Sequence, residues 1–234
     1  MKPGGTIDIA GKTVSRLGLG TLRLAGPGGW GGPEDRAQAV GLLREAVHQA
    51  LHPYPDELLI ATKVGLVRPA PDVWTPFGHP AYLRASVEGS LRRLGVERLE
   101  LCYLHRIDWE VPVEDQIGTL EALREEGKVG HIGLSKITAE DFHRWHGEIG
   151  LAAVQNVLNI HDRHDPVQEL CRDHGVPYVP YRPLAAGSAT HEGDVYTPLS
   201  WLLGLGPHVA PIPGTGNPSH LANIVRAVML GGWE

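Results

Sequence analysis

A lysine and a histidine in this chain each stand where a short apolar run gives way to polar side chains. Lys63 follows residues 58–62, and His105, with Arg106, closes the run 99–104. Buried strands that end on basic groups deliver them to a rim, and a lysine with a histidine there suits chemistry in which negative charge develops on oxygen. The lysine can hold an anionic oxygen or lower the pKa of a neighbouring acid; the imidazole can donate a hydrogen bond or a proton to a developing alkoxide. Ser135, Gln155, Asn156 and Tyr181 end later runs in the same way. The two amides suit another amide, and the tyrosine ring suits a flat ring. Each of these residues also has a purely structural alternative, as a solvated strand end or a satisfied core group.

The other candidates lie in turns and loops. Gly214-Thr215-Gly216 leads into a helix through Ser219 and His220, and backbone N–H groups there, with the serine hydroxyl, suit a phosphate. Gly18-Leu19-Gly20-Thr21 lets backbone approach a ligand closely. The Gly/Pro-rich segments 26–32, with Trp30, and 64–80, with Trp74 and Phe77, read as loops able to contact a substrate. Among 13 histidines, only His161 and His164, beside Asp162 and Asp165, approach a metal cluster, and they lack a third distant ligand, so no metal is expected. Cys102 sits inside an apolar run and is read as core.

Elements able to position these residues follow from periodicity. Seven strands are expected at 16–20, 58–62, 99–104, 129–134, 151–157, 176–181 and 208–212, after an amino-terminal hairpin over 6–17 that turns at Gly11. Between them the spacing predicts helices over 34–49, from Pro80 to Gly95, over 114–126, from Thr138 to Trp145, from Asp165 to Asp173, around 199–203 and over 219–230. This alternation argues for one parallel α/β barrel domain over residues 1–234, with the strand ends on its carboxyl face. The net charge of −6, with no long Lys/Arg block, disfavours a nucleic-acid partner. Two distant cysteines and the lack of a leader or a membrane-length apolar run point to a cytoplasmic protein. Oligomeric state is left open.

The same residues resemble the aldo-keto reductase family in its bacterial members. The likeness runs in order through Arg16-Leu-Gly-Leu-Gly-Thr, Ile60-Ala-Thr-Lys-Val-Gly, Tyr103-Leu-His-Arg-Ile-Asp, Gly127-Lys-Val-Gly-His-Ile-Gly-Leu-Ser, Ala153-Val-Gln-Asn, Pro180-Tyr-Arg-Pro-Leu and Ile212-Pro-Gly-Thr. It implies a (β/α)8 TIM barrel that reduces an aldehyde or ketone with NADPH and no metal. Lys63 and His105 match two members of the family's Asp-Tyr-Lys-His tetrad. Gly20, Thr21, Ser135, Gln155 and Tyr181 then fall to the cofactor, as do Gly214, Thr215, Ser219 and His220 in its phosphate region; Trp30, Trp74 and Phe77 fall to the carbonyl substrate.

The resemblance breaks after the first helix. The family carries there an Asn-x-x-Asp-Thr-Ala-x-x-Tyr-Gly segment with the tetrad's aspartate and proton-donating tyrosine, whereas this chain passes from Val47-His48-Gln49 to Ala50-Leu51-His52-Pro53. Roughly two dozen residues, including the second barrel strand, are missing by that measure, which accounts for seven strands rather than eight. A smaller shortfall lies between Gly187 and Trp201, and Lys136 follows Ser135 where the family usually has asparagine. Either the full protein holds segments omitted here, which is favoured because losing a strand and a cofactor-side helix together is costly, or the deletion is real. In the second case the chain is a reductase with His105 or an ordered water as its acid, or a redox-inactive homologue that binds a nicotinamide cofactor or a protein partner, or a lyase or isomerase using the same pocket.

Overall fold

The computed structural model describes residues 4–22, 55–70, 73–190 and 193–229. The expected helix 34–49, the Gln49–Ala50 junction and Trp30 lie outside the described residues.

Strands β1 (Thr6–Ile9) and β2 (Lys12–Ser15) form the expected hairpin. Ala10 and Gly11 turn it with φ of 53° and 73°, the two positive values that a two-residue hairpin turn needs to match strand twist. Four parallel strands follow in the order β3 (Ala61–Val64), β6 (Leu99–Leu104), β7 (Val129–Ser135) and β8 (Ala153–Gln155). Beyond β8 the ladder continues through single parallel bridges, Val154 to Tyr178, Val157 to Tyr181 and Tyr178 to Val209. It reaches the first segment where the Gly18 N–H donates to the Pro211 carbonyl (3.1 Å) and the Gly20 N–H to that of Pro213 (2.9 Å). Full strands were expected over 176–181 and 208–212. Pro177, Pro180, Pro211 and Pro213 remove ladder donors there and leave only bridges.

Seven parallel segments therefore succeed one another, but the described residues do not close the ring. Backbone hydrogen bonds tie β3 to β6 and none joins β3 to segment 18–20. Inward side chains of the closed part, Leu101, Tyr103, Ala153, Val179 and Ala210, pack with Ile7 and Ile9, so the hairpin plugs the amino-terminal end. Ala61 and Lys63 stand in register with Leu101 and Tyr103, yet both are exposed. Among the described residues nothing pairs with the outer edge of β3.

On the outer face Cys102, Leu104, Ile132 and Leu134 pack against Leu83 and Val87 of α1 (Pro80–Leu94) and Ile117, Leu120 and Leu123 of α2 (Val113–Glu125). Helix α1 has Pro80 in its first turn and ends at Gly95 with φ 66°, as its proline and glycine predict. Helix α3 (Ala139–Trp145) starts with a capping box in which Thr138 and Asp141 satisfy each other's backbone N–H groups. Helices α4 (Pro166–His174), α5 (Tyr196–Gly204) and α6 (Pro218–Met229) complete the order. Among the described residues no helix is long and apolar enough to cross a membrane.

Two expectations around Lys63 need correction. The strand lies three residues later than 58–62, because Leu58 turns back onto the Pro55 carbonyl (2.9 Å), so Lys63 belongs to β3 itself. The segment 64–80 is no open loop either: β4 (Leu66–Ala70) and β5 (Val73–Pro76) pair antiparallel as a second hairpin above the rim.

Candidate active site

Neighbouring strands bring Lys63 and His105 together. The His105 N–H donates to the Val64 carbonyl (2.8 Å), which extends the β3–β6 ladder by one bond and sets the imidazole at the rim. The Lys63 ammonium lies 5.8 Å from the centroid of the Tyr103 ring. Trp74 of β5 meets the His105 ring edge-on with centroids 6.4 Å apart, and the Arg68 guanidinium stacks 4.0 Å from the indole centroid. The hairpin carrying Trp74 is pinned at its base. Asp108 Oδ2 accepts from the Gly78 N–H (2.8 Å), while Gln116 accepts from the Asp108 N–H (3.1 Å) and donates to its carbonyl (2.7 Å). A side chain at residue 78 would collide with Gln116 and Asp108, which is why glycine stands there. Phe77, expected at the substrate, packs edge-on against Tyr82 at 4.9 Å and remains exposed.

Burial and charge separate the roles of these two residues. Desolvation first, then the positive charges of Lys63, Lys136 and Arg106, push the His105 imidazole down to about 3. It is neutral at pH 7 and can give a hydrogen bond, but it holds no imidazolium proton. Partial loss of hydration lowers the Lys63 ammonium from the usual lysine range, against a small opposing effect of Cys102. A proton on Lys63 is thus easier to release than on a free lysine.

Across the rim, Ser135 and Gln155 are register partners on β7 and β8. The Ser135 hydroxyl donates to the Gln155 carbonyl (2.7 Å), leaving its lone pairs as acceptors. Gln155 is buried and its side chain hydrogen-bonds Tyr103, whose phenol burial holds neutral. Tyr181 is half-buried, its N–H on the Asn156 carbonyl (3.0 Å), and the Lys136 ammonium stands over its ring at 5.6 Å. Asn156 is not available to a ligand. It accepts from the Ile137 N–H (3.1 Å) and donates to the Ile137 carbonyl (2.8 Å) and Asp165 (2.9 Å).

At the third expected locus, Gly20 and Gly214 serve close approach of two backbones: a Cβ on either would press on the other segment's carbonyl oxygens. Thr21 is exposed beside them. The start of α6 departs from expectation, because Asn217 Oδ1 already accepts from the N–H groups of Ser219 (2.8 Å) and His220 (3.4 Å). Thr215 in turn accepts from the Asn217 N–H (3.0 Å). An incoming phosphate meets the exposed Ser219 and His220 side chains rather than two free helix amides. Among the described residues no three His, Cys, Asp or Glu side chains group as a metal site.

Three cations stand beside these residues: Arg106, already read at the end of its strand, and Lys136 and Arg182, which sequence reasoning gave no role. Their signal was position, since each directly follows a site residue, His105, Ser135 or Tyr181. Arg106 and Lys136 line a cavity of about 360 Å³ together with Asn156, His164, Asp165 and Tyr181.

Comparison with known proteins gives the chain's family and fold. The profile of the Aldo/keto reductase family matches residues 35–198. An uncharacterised oxidoreductase of Schizosaccharomyces pombe is 34% identical over 259 residues, covering 95% of this chain and 84% of that protein. Pyridoxine 4-dehydrogenase of Escherichia coli is 33% identical over 267 residues, covering 96% and 93%. Among solved structures, the glycerol dehydrogenase of Gluconobacter oxydans superposes with a TM-score of 0.80 at 22% identity, covering 96% of this chain and 90% of that one.

Proposed function

The chain belongs to the aldo/keto reductase family, and on that premise we propose that it reduces an aldehyde or ketone to an alcohol with NADPH, using Lys63 as the proton donor. The observation that carries the reading is the placement of Lys63 and His105 on neighbouring strands at one rim, where the His105 N–H donates to the Val64 carbonyl (2.8 Å); the lowered Lys63 ammonium and the neutral His105 imidazole agree with it.

The nicotinamide end fits the residues present. Ser135, left as an acceptor, and Gln155 match the two ends of a carboxamide, and the Tyr181 ring offers a stacking face once Lys136 moves off it. Ser219 and His220 are the candidates for the phosphate end. When bound, the reduced nicotinamide supplies hydride to the carbonyl carbon. His105 donates a hydrogen bond to the carbonyl oxygen and orients it, and Trp74 closes the apolar side. As negative charge grows on that oxygen, the Lys63 N–H proton passes to it, and the neutral amine recovers a proton from water.

Lysine takes this role because the tyrosine segment of the family is missing from the chain. The sequence passes from Val47-His48-Gln49 to Ala50-Leu51-His52-Pro53 where the family carries that segment. A second reading is a homologue that binds the cofactor without redox turnover. It is favoured by the Lys136 ammonium standing where a ring would stack on Tyr181.

Titration with NADPH, followed by its fluorescence, and NADPH oxidation across a carbonyl panel separate the two. Binding with turnover that Lys63→Met removes supports the reductase. Binding without oxidation of any carbonyl supports the second reading, and no binding overturns both.

A further inference from the structure

Reduction of a carbonyl needs Lys63 and His105, but not the three cations beside them. Arg106, Lys136 and Arg182 each follow a site residue at the carboxyl ends of β6, β7 and the segment ending at Tyr181. Two of them are held in unusual backbone: φ is 57° at Lys136 and 53° at Arg182, a region that residues with a Cβ avoid. Among the described residues none of the three forms an ion pair, although Arg84, Arg98, Arg124, Lys128, Arg144 and Arg172 all do. They crowd one another, since Arg106 and Arg182 both weigh against the charge on Lys136.

The carboxylate in the cavity wall is bonded to neutral donors and not to any of these three cations. Asp165 lines the cavity, but its oxygens already accept from Tyr178 (2.6 Å), Asn156 (2.9 Å) and the Val167 N–H (3.0 Å). In a protein of net charge −6, Arg106 and Lys136 thus stand in the cavity wall, with Arg182 next to Tyr181, without an ion-pair partner among the described residues. Such a cavity draws anions and strengthens their contacts as water leaves.

We infer that Arg106, Lys136 and Arg182 recognise an oxyanion carried by the carbonyl substrate, so that the chain prefers aldehydes or ketones bearing a carboxylate or phosphate. The inference rests on the reductase reading and narrows its substrate class. Arg106, which lines the cavity, directly follows His105 in the chain, so an anion held there lies one residue from the imidazole that orients the carbonyl. An anion also draws Lys136 away from the Tyr181 ring, freeing the face on which a nicotinamide stacks. The cations serve substrate and cofactor together rather than the phosphates of the cofactor.

The test compares succinic semialdehyde with butanal at saturating NADPH. The charged aldehyde is expected to have kcat/KM on the order of 10- to 100-fold higher, mainly through KM. Lys136→Gln with Arg106→Gln should erase that preference, and Lys136→Arg should keep it. Equal kcat/KM for the two aldehydes overturns the inference and leaves the reductase reading standing. Should no carbonyl turn over, calorimetric titration with succinate decides: saturable binding that persists with NADPH present and is lost in Lys136→Gln supports the site. Absence of binding, or competition with NADPH, overturns it.

Discussion

The two sides of this barrel differ in how firmly they hold their rim residues. From β6 to β8 every strand has partners on both sides, and Leu101, Tyr103, Ile132, Leu134 and Val154 are almost wholly buried. Along β3 the ladder is one-sided among the described residues, and the inward-facing Ala61 and Lys63 reach solvent. His105 and Lys63 sit on either side of this boundary. Desolvation acts on both: with the neighbouring positive charges it fixes the histidine as a neutral donor, and it loosens the proton on the lysine, whose strand is paired on one side only among the described residues. One rim thus holds an orienting group and an acid, and the division follows from their surroundings rather than from the residues themselves.

Substitutions on the two sides break or sharpen this contrast. The largest effect is expected at Lys63: replacement by methionine keeps the side chain's length and removes the proton, lowering kcat about 10²- to 10⁴-fold with little change in NADPH affinity, read by steady-state rates and fluorescence titration. If Lys63→Met retains full kcat, the proton comes from elsewhere. On the closed wall Ile132→Ala empties a fully buried site in β7 and should cost roughly 2–5 kcal/mol in urea unfolding.

The histidine gives a pH signature of the closed wall. Its folded-state pKa of about 3 lies below that of an unfolded histidine, so the unfolded chain takes up the proton first as pH falls. Its contribution is intact above about pH 6.5 and is lost progressively toward pH 3, by up to about 3 kcal/mol at pH 4. His105→Gln should flatten that slope when urea unfolding is followed at pH 7 and at pH 4. The smallest effect belongs to the open side, where Ala61→Ser, at an exposed inward position, should change stability by less than about 0.5 kcal/mol. A cost near that of Ile132→Ala would mean that β3 is covered in solution.

Local chemistry was legible wherever a side chain acts on its own neighbours. Pro80 and Gly95 bound α1, Thr138 with Asp141 starts α3, and the apolar run 99–104 is β6. The β4–β5 hairpin was not, because its glycines and prolines resemble a loop until pairing registers them. Asn156 read as a ligand for an amide, but the backbone of Ile137 and the Asp165 carboxylate take its bonds. The helix amides after Gly216 read as a phosphate site, and Asn217 reaches two of them first.

What the sequence by itself determined is the alternating pattern, the polar ends of its strands and their order, since hydrophobic periodicity and helix caps depend only on residues a few positions apart. Only the tertiary structure decided which strands would have partners on both sides, how far each rim group would lose its water, and which cations would stand without ion-pair partners among the described residues. Desolvation and charge crowding depend on groups far apart in the chain, and no local spacing encodes them.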